Sequence, residues 1–263
     1  MQNQKIIYLI DYLLSERSDL GKVNIPDDDT NRFRLYRSLV NIRPAVKADD
    51  EFLKVEDEYL SGLTVEKGIT DIDDLEPIED GIYLWKGDIT TLKCGAIVNA
   101  ANSGMTGCWQ PCHNCIDNCI HTFAGVRLRY HCNQIMELQG YEEPTGKAKI
   151  TPAYNLPCDY VIHTVGAIVQ GALKQEHCRQ LESCYQSCLE IAVQNQIKSI
   201  AFCCISTGVF GFPQREAAEI AVRTVRQFRG QNDIQVIFNV FREDDYDIYK
   251  GLLDRDKTTE KRD

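Results

Sequence analysis

Beyond residue 80 the sequence consists of short apolar runs that alternate with helical patterns. The runs are nearly continuous in apolar residues: GIYLW, GAIVNA, KAKITPA, YVIHTV, SIAFCCI and QVIFNVF. Between them, the segments near 117–138, 176–195 and 214–229 carry apolar residues at helical spacing. Strands that are apolar on both faces must be covered on both faces, and the intervening helices supply that cover. The pattern predicts an α/β fold in which helices cover both sides of one sheet.

The first 75 residues are charged and helical instead. The stretches IIYLIDYLL, FRLYRSLV and DDEFLKVEDEYL each place apolar residues on one helix face. Candidate N-caps are Thr30 and Asn31 for the second helix and Asp49 and Asp50 for the third, and Pro44 is a candidate stop for the second. Because residues 64–80 are acidic and irregular, we predict an N-terminal helical extension over 1–75 and a second domain over 76–263. The extension is expected to pack on that domain.

Charge and length exclude several classes of protein. The formal net charge is −10, whereas a nucleic-acid surface needs a basic stripe. No apolar run approaches the roughly 18 residues of a membrane helix, and the first apolar stretch is broken by Asp11 with no leader features. We therefore expect a cytoplasmic protein with no membrane or nucleic-acid partner. Its 12 cysteines would be reduced thiols, with Cys184 and Cys188 in the core at helical spacing.

In a sheet of this kind, ligands bind beyond the carboxyl ends of the strands. The segment STGVFGFPQREAAE, residues 206–219, joins a strand to a helix there. Gly208 and Gly211 permit a close backbone approach, and Pro213 suits a first helical turn. Free N–H groups at such a turn form a cradle for phosphate, which an acidic protein needs for an anionic ligand. An ordinary strand-to-helix turn is the alternative.

Polar residues follow two other strands. Asp88 in GDI either accepts a hydrogen bond from an adenine amino group or serves as a turn aspartate. In NAAN, Asn99 is expected to satisfy backbone groups, and Asn102, one step further out, to hold a sugar hydroxyl. Shortly after them, GCWQPCHNCIDNCIH (residues 107–121) holds four cysteines and two histidines in 15 positions. This cluster is consistent with a metal site, a disulfide framework or a thiol-rich helix start.

The segments GDIT, IVNAANSG, IDNCIHTFAG and ISTGVFGFP, in this order, resemble the macrodomain family of ADP-ribose-binding modules. VIFNVFREDDYDIY is similar to the family's last strand, and the resemblance covers roughly residues 76–255. It implies a three-layer α/β/α fold with a mixed, mainly parallel sheet. It also implies that Asp88 meets the adenine amino group beside a backbone contact at Ile89, and that Phe241 stacks on the adenine. The pyrophosphate would be wrapped by Ser206, Thr207, Gly208, Val209 and Phe210, and Asn102 would face the distal ribose.

One loop departs from the common macrodomain pattern. GCWQPCHNC stands where hydrolytic relatives carry a glycine-rich loop, and it resembles a zinc-dependent bacterial branch found beside sirtuin-type ADP-ribosyltransferases. That branch's C-x4-H-x-C pattern matches Cys108, His113 and Cys115. Three protein ligands leave a fourth zinc position for water or substrate, as in catalytic sites. A fourth ligand from Cys112 or Cys119 would instead make a structural site, although Cys112 is expected to point away and Cys119 to face the core.

The resemblance implies a zinc-dependent hydrolase that removes mono-ADP-ribose from aspartate or glutamate side chains, reversing a sirtuin-type transferase. Zn²⁺ would activate water or bind the distal ribose. Asn102 would orient the substrate, and Asp117 would act as general base or position water, besides its possible role as a helix N-cap. The implied partner is a lipoyl-carrier protein like that of glycine cleavage. A non-catalytic ADP-ribose reader with a structural zinc, an O-acetyl-ADP-ribose deacetylase and, least favoured, a zinc-finger nucleic-acid binder remain alternatives.

Overall fold

The six apolar runs form one sheet in the computed structural model, which describes residues 2–255. Within that range the strand order is β2-β8-β7-β4-β6-β5, and every neighbouring pair is parallel except β5 with β6. The mixed, mainly parallel sheet is thereby confirmed. The strands are β1 (Thr70–Asp71), β2 (Ile82–Lys86), β3 (Leu92–Lys93), β4 (Ala96–Ala101), β5 (Ala148–Pro152), β6 (Tyr160–Val165), β7 (Ser199–Phe202) and β8 (Gln235–Val240). The short strands β1 and β3 pair with each other outside the main sheet.

The helices match the predicted patterns with one interruption. The expected helix over 117–138 is divided at Gly125, which has φ of +90° and ends one helix before the next begins. No helix among residues 2–255 combines the length and apolarity needed to cross a bilayer. The helices are α1 (Gln2–Ser15), α2 (Asp29–Ile42), α3 (Asp50–Lys67), α4 (Ile116–Ala124), α5 (Val126–Gln139), α6 (Gln175–Gln194), α7 (Gln214–Arg229) and α8 (Glu243–Arg255).

Helices cover both faces of the sheet, as β6 illustrates. Successive side chains in a strand point to opposite faces. His163 contacts Cys132 of α5, with Nε2 3.8 Å from Sγ, whereas the adjacent Thr164 lies on the face covered by α6, whose Cys184 donates to Val165 O at 3.3 Å. Cys184 and Cys188 are fully buried, as predicted. The two helical layers give the α/β/α sandwich that the resemblance implied.

The N-terminal helices α1–α3 form a unit with a core of its own, built around Tyr36, Phe52 and Leu60. This unit packs on the sandwich through α4, where the rings of Phe33 and Phe123 stack with centroids 5.8 Å apart. The predicted division after residue 75 stays a prediction. In the structure α3 ends at Lys67, and β1 begins three residues later.

One of the predicted helix caps is wrong. Asp28 caps α2, because its carboxylate accepts the amide of Asn31 at 2.9 Å, whereas Thr30 and Asn31 lie inside the helix. Three consecutive aspartates precede Thr30, so the sequence offered several equivalent cap candidates. Asp49 caps α3 as predicted, accepting the amide of Phe52 at 2.7 Å, and Asp50 is the first helical residue.

A buried carboxyl group joins the two units. Glu56 of α3 is fully buried, accepting the Tyr36 hydroxyl at 2.7 Å and the Val126 amide at the start of α5 at 3.0 Å. Burial raises its pKa to about 7, against the lowering effect of those hydrogen bonds. A Cβ on Gly125 would lie 2.6 Å from the same carboxylate, which requires glycine there.

We expect Glu56→Gln to flatten the pH dependence of stability. The folded carboxyl keeps its proton to higher pH than the unfolded one, so its contribution is full below about pH 4.5. That contribution is lost as the pH rises through about 7. The difference between the unfolded pKa of 4.5 and the folded pKa of about 7 corresponds to at most about 3 kcal/mol of unfolding free energy. Urea unfolding from pH 5 to 8, with chelator present, should show the variant's stability relative to wild type rising with pH. The exposed Glu58→Gln on the same helix is the control, and parallel profiles for all three proteins would contradict the assignment.

Candidate active site at the carboxyl edge of the sheet

Asp88 and Phe241 lie side by side because their strands are neighbours in register. β2 and β8 end with Lys86 opposite Val240, so the residues just beyond them meet at one edge. Phe241 is 79% exposed there, which is unusual for a phenylalanine. Its ring is available to a flat ligand.

The Asp88 side chain is held from both sides. Its Oδ1 accepts the amide and hydroxyl of Thr90, at 3.0 and 2.7 Å, which begins the short 3-10 turn containing the buried Ile89. Its Oδ2 accepts Lys67 Nζ, from the end of α3, at 3.0 Å. Partial burial raises the carboxyl pKa, but these hydrogen bonds outweigh it and leave the pKa lowered. Asp88 is therefore an ionised acceptor at neutral pH.

The loop after β7 presents unpaired backbone donors. β7 ends at Phe202, so Cys203 and Cys204 follow the strand instead of lying within it. Ser206 has φ of +67°, a left-handed conformation that is uncommon for serine. The loop closes on itself, with Phe212 N donating to Ser206 O at 3.0 Å.

Three successive amides in this loop, those of Gly208, Val209 and Phe210, have no hydrogen-bond partner among residues 2–255. Val209 is 78% exposed, and a Cβ at Gly208 would have nothing within 4 Å. Phe210 is anchored through its carbonyl, which accepts Val169 N at 2.8 Å, and Thr207 hydrogen-bonds back to Cys204 O. Consecutive free N–H groups of this kind bind oxyanions.

Beyond β4, two asparagines share one buried carboxylate. Asn99 Nδ2 donates to Asp117 Oδ1 at 2.8 Å, and Asn102 Nδ2 donates to Asp117 Oδ2 at 3.2 Å. The prediction that Asn99 satisfies backbone groups is therefore wrong. Burial raises the pKa of Asp117 to about 6, against these hydrogen bonds and the charge of Arg129. A carboxyl group with this pKa is suited to accept a proton near neutral pH.

The structure brings Cys108, His113 and Cys115 together in the loop that follows. Their candidate ligand atoms all lie within 4.8 Å of one another, and Cys108 Sγ is 3.6 Å from His113 Nδ1. All three are half-buried, so the cluster lies near the surface instead of in the core. Burial and the neighbouring Cys108 thiol raise the pKa of Cys115 to about 12. A cation would replace that proton and remove the repulsion between the two sulfurs.

The two other cysteines of this segment point elsewhere. Cys112 Sγ lies 3.3 Å from Arg34 O, and Cys119 Sγ lies 3.5 Å from the Arg37 guanidinium of α2. Neither belongs to the group of mutually close ligand atoms. The three-ligand arrangement is therefore open to a fourth ligand from outside the loop.

Cys115 also caps α4, since the Asn118 amide lies 3.4 Å from its Sγ. Asp117 is thus inside the first turn, and the N-cap role considered for it is wrong. Because Cys115 ends the loop and begins the helix, the loop and the Asp117 carboxylate are rigidly linked.

A second group of candidate ligands, His121, Cys132 and His163, lies in the core. Asn99 Nδ2, a donor, lies 3.1 Å from His163 Nδ1, so Nδ1 accepts and the ring proton sits on Nε2, facing Thr151 Oγ1 at 2.9 Å. His163 Nε2 therefore has no lone pair for a metal, and this group is assigned to packing.

Two further residues at the site come from distant segments and were not predicted from the sequence. Lys67 pairs with Asp88, and Arg129 of α5 donates to Cys108 O at 3.1 Å while its guanidinium lies 4.1 Å from the Trp109 ring centroid. Nothing in their local sequence distinguishes them from surface cations. Only proximity in the fold reveals their role.

Comparison with known proteins agrees with this architecture. The Macro domain profile matches residues 98–221. A relative from Treponema medium, named protein-ADP-ribose hydrolase, is 55% identical over 258 residues, covering 96% of this chain and 99% of that protein. The Oceanobacillus iheyensis macrodomain with ADP has a TM-score of 0.63 at 37% identity, covering 71% of this chain and 96% of that one. The Trypanosoma brucei macrodomain in complex with ADP-ribose has a TM-score of 0.64 at 27% identity, covering 87% and 97%. From the fold and these matches together, the chain belongs to the macrodomain family.

Proposed function

We propose that the protein is a zinc-dependent hydrolase that removes mono-ADP-ribose from acidic side chains of modified proteins. The observation that carries the proposal is the order of features along one sheet edge. An exposed aromatic ring and a carboxylate follow β8 and β2, free amides follow β7, and the asparagine–aspartate pair and cysteine–histidine loop follow β4. Because neighbouring strands lie about 4.8 Å apart, these features span roughly 15 Å across the four strands. Adenine, pyrophosphate and distal ribose succeed one another in the same order.

The relatives support hydrolysis over mere recognition. Proteins named protein-ADP-ribose hydrolase match nearly the whole chain, including the N-terminal unit, at 55% identity for Treponema medium. The Oceanobacillus iheyensis and Trypanosoma brucei structures were solved with ADP and ADP-ribose. A cleft built for ADP-ribose therefore agrees with both kinds of relative.

The donor set of the loop fits zinc. Two thiolates and one imidazole are common zinc ligands, and three protein ligands are typical of catalytic sites. Cys108, His113 and Cys115 would hold the ion. When bound, Zn²⁺ supplies a Lewis acid that either lowers the pKa of water or holds the hydroxyls of the distal ribose.

Residues of the chain itself would bind the nucleotide, orient the distal ribose and accept the proton. Phe241 stacks on the adenine, Asp88 accepts from its amino group beside the Ile89 backbone, and the 206–210 loop donates to the pyrophosphate. Asn102 orients the distal ribose. Asp117 accepts a proton at a carboxylate oxygen from the attacking water, while its hydrogen bonds hold Asn102 and Asn99 in place. Water adds across the ester bond between the distal ribose and the protein carboxyl group, which gives free ADP-ribose and the unmodified carboxylate, and the remaining proton passes from Asp117 to solvent.

The cysteine–histidine loop also indicates which modified protein is the natural substrate. The cysteine–histidine loop resembles that of macrodomains that reverse sirtuin-type ADP-ribosyltransferases. We therefore propose a modified lipoyl-carrier protein like that of glycine cleavage as the natural substrate, in the cytoplasm.

A turnover assay tests the function. A carrier protein ADP-ribosylated on aspartate or glutamate, incubated with zinc-loaded enzyme, should release free ADP-ribose over many turnovers. O-acetyl-ADP-ribose should be the poorer substrate by kcat/KM. Stoichiometric binding without release would identify a reader module, and preference for the acetylated nucleotide would identify a deacetylase.

A further inference from the structure

The N-terminal unit reaches the cysteine–histidine loop through two side chains of α2. The Arg37 guanidinium donates to His113 O at 2.7 Å and to Asn118 Oδ1 at 3.1 and 2.9 Å. Asn41, one turn later, accepts the Cys112 amide and the Asn118 side-chain amide through Oδ1, both at 2.9 Å. Residues four apart lie on the same helix face, so both side chains contact the same loop.

These contacts fall on the parts of the loop that determine the ligand geometry. Arg37 fixes the carbonyl of His113, one of the three candidate ligands. Asn41 holds the amide of Cys112, the residue before it, which has φ of +53°. A left-handed conformation is unfavourable for a non-glycine residue unless its surroundings hold it. The bond from Cys112 to Asn41 is such a restraint.

Asn118 extends the same network to both ends of the loop. Its side-chain amide donates to Gln110 O at 2.9 Å, and its backbone amide points to Cys115 Sγ at 3.4 Å. Asn41 and Asn118 are 1% and 0% exposed. In a buried network each hydrogen bond is strong, and the loss of one partner leaves another buried polar group without a hydrogen bond.

The loop has few means of holding itself. Residues 102–115 contain no helix or strand, so their conformation depends on contacts with other segments. Ordering an irregular backbone costs conformational entropy, and a cation that must order its ligands binds more weakly. If α2 already holds the loop in place, this entropy cost does not reduce the free energy of metal binding.

We propose that Arg37 and Asn41 are positioning residues that hold the 108–115 loop in its metal-binding conformation, so that the N-terminal helical unit sets the metal affinity of the site. The inference rests on the proposed function, because it takes the cysteine–histidine trio to bind zinc. Residues that orient metal ligands typically change metal affinity by about 10- to 100-fold when removed. The N-terminal unit is then part of the active site.

The test is the zinc affinity of the full-length protein, measured by competition with a chromophoric chelator. Arg37→Ala and Asn41→Ala should each bind zinc about 10- to 100-fold more weakly than wild type. Arg34→Ala is the matched control, since Arg34 is exposed on the same helix and its guanidinium makes no hydrogen bond within residues 2–255. Its zinc affinity should stay within about threefold of wild type.

Folding is checked by far-UV circular dichroism and thermal unfolding of the zinc-free proteins. If Arg37→Ala does not fold, Arg37→Lys replaces it, because lysine keeps the charge but cannot reproduce the forked hydrogen bonds. Folded Arg37 and Asn41 variants with wild-type zinc affinity would overturn the inference and leave the proposed function standing. A wild-type protein that binds no zinc would overturn the zinc-dependent function, and the inference with it.

Discussion

Replacing Cys108 with alanine should reduce turnover by about 100-fold or more while leaving ADP-ribose binding intact. Cys108 supplies one of the three candidate ligand atoms, all within 4.8 Å of one another. The contacts proposed for adenine and pyrophosphate lie on β2, β8 and the loop after β7, away from this loop. Loss of several kcal/mol of metal stabilisation corresponds to a rate reduction of about 100- to 10,000-fold. Zinc content, ADP-ribose release and calorimetric ADP-ribose affinity measure the three expectations separately.

Two other variants serve as controls that separate the loss of zinc from the loss of ADP-ribose binding. Cys112→Ala removes a neighbouring thiol that contacts Arg34 O, so it should keep both zinc and activity. Phe241→Ala should keep zinc but lose about 5- to 150-fold in ADP-ribose affinity, since stacking on a base contributes roughly 1–3 kcal/mol. Full turnover by Cys108→Ala after verified removal of zinc would rule out the metal's role in catalysis.

Asp117→Asn should reduce kcat by about 100-fold or more while zinc content and ADP-ribose affinity remain near wild type. The replacement is isosteric, but it removes the proton acceptor. It also offers one oxygen where Asn99 and Asn102 now donate to two. One of these amides then faces an NH₂ group, and the orientation of Asn102 is disturbed. Single-turnover kinetics on ADP-ribosylated carrier protein would measure the chemical step directly.

A double-mutant cycle separates the two roles of Asp117. If it only orients Asn102, the double variant Asp117→Asn, Asn102→Ala should be no slower than Asn102→Ala alone. If it also accepts a proton, the double variant should be slower by a further factor. Unchanged kcat in folded Asp117→Asn would exclude both roles.

Local sequence was sufficient for the sheet and for most helices. A strand buried on both faces is apolar at most positions, so all six strands of the main sheet were visible as short, nearly continuous apolar runs. Errors occurred where several local choices were equivalent. Asp28 was one of three adjacent aspartates able to cap α2, and the helical pattern over 117–138 does not show that Gly125 divides it.

The candidate site was only partly visible. Its loops could be located because ligands bind at the carboxyl edge of such a sheet, and family resemblance assigned roles to Asp88, Asn102 and Phe241. The side-chain pairing of Asn99 with Asp117 could not be predicted, since it depends on how α4 packs against β4. Lys67 and Arg37 were missed because they lie in the helical unit, far from the loops they contact.

The sequence by itself determined the strands, the helices and the chemical types of ligand, because burial, helical periodicity and donor chemistry are properties of short segments. Only the tertiary structure decided which cysteines converge, which asparagines share the Asp117 carboxylate and which helix holds the cysteine–histidine loop. These are contacts between segments up to about 80 residues apart, formed when separate apolar faces are buried together. No periodicity within one segment records such a contact.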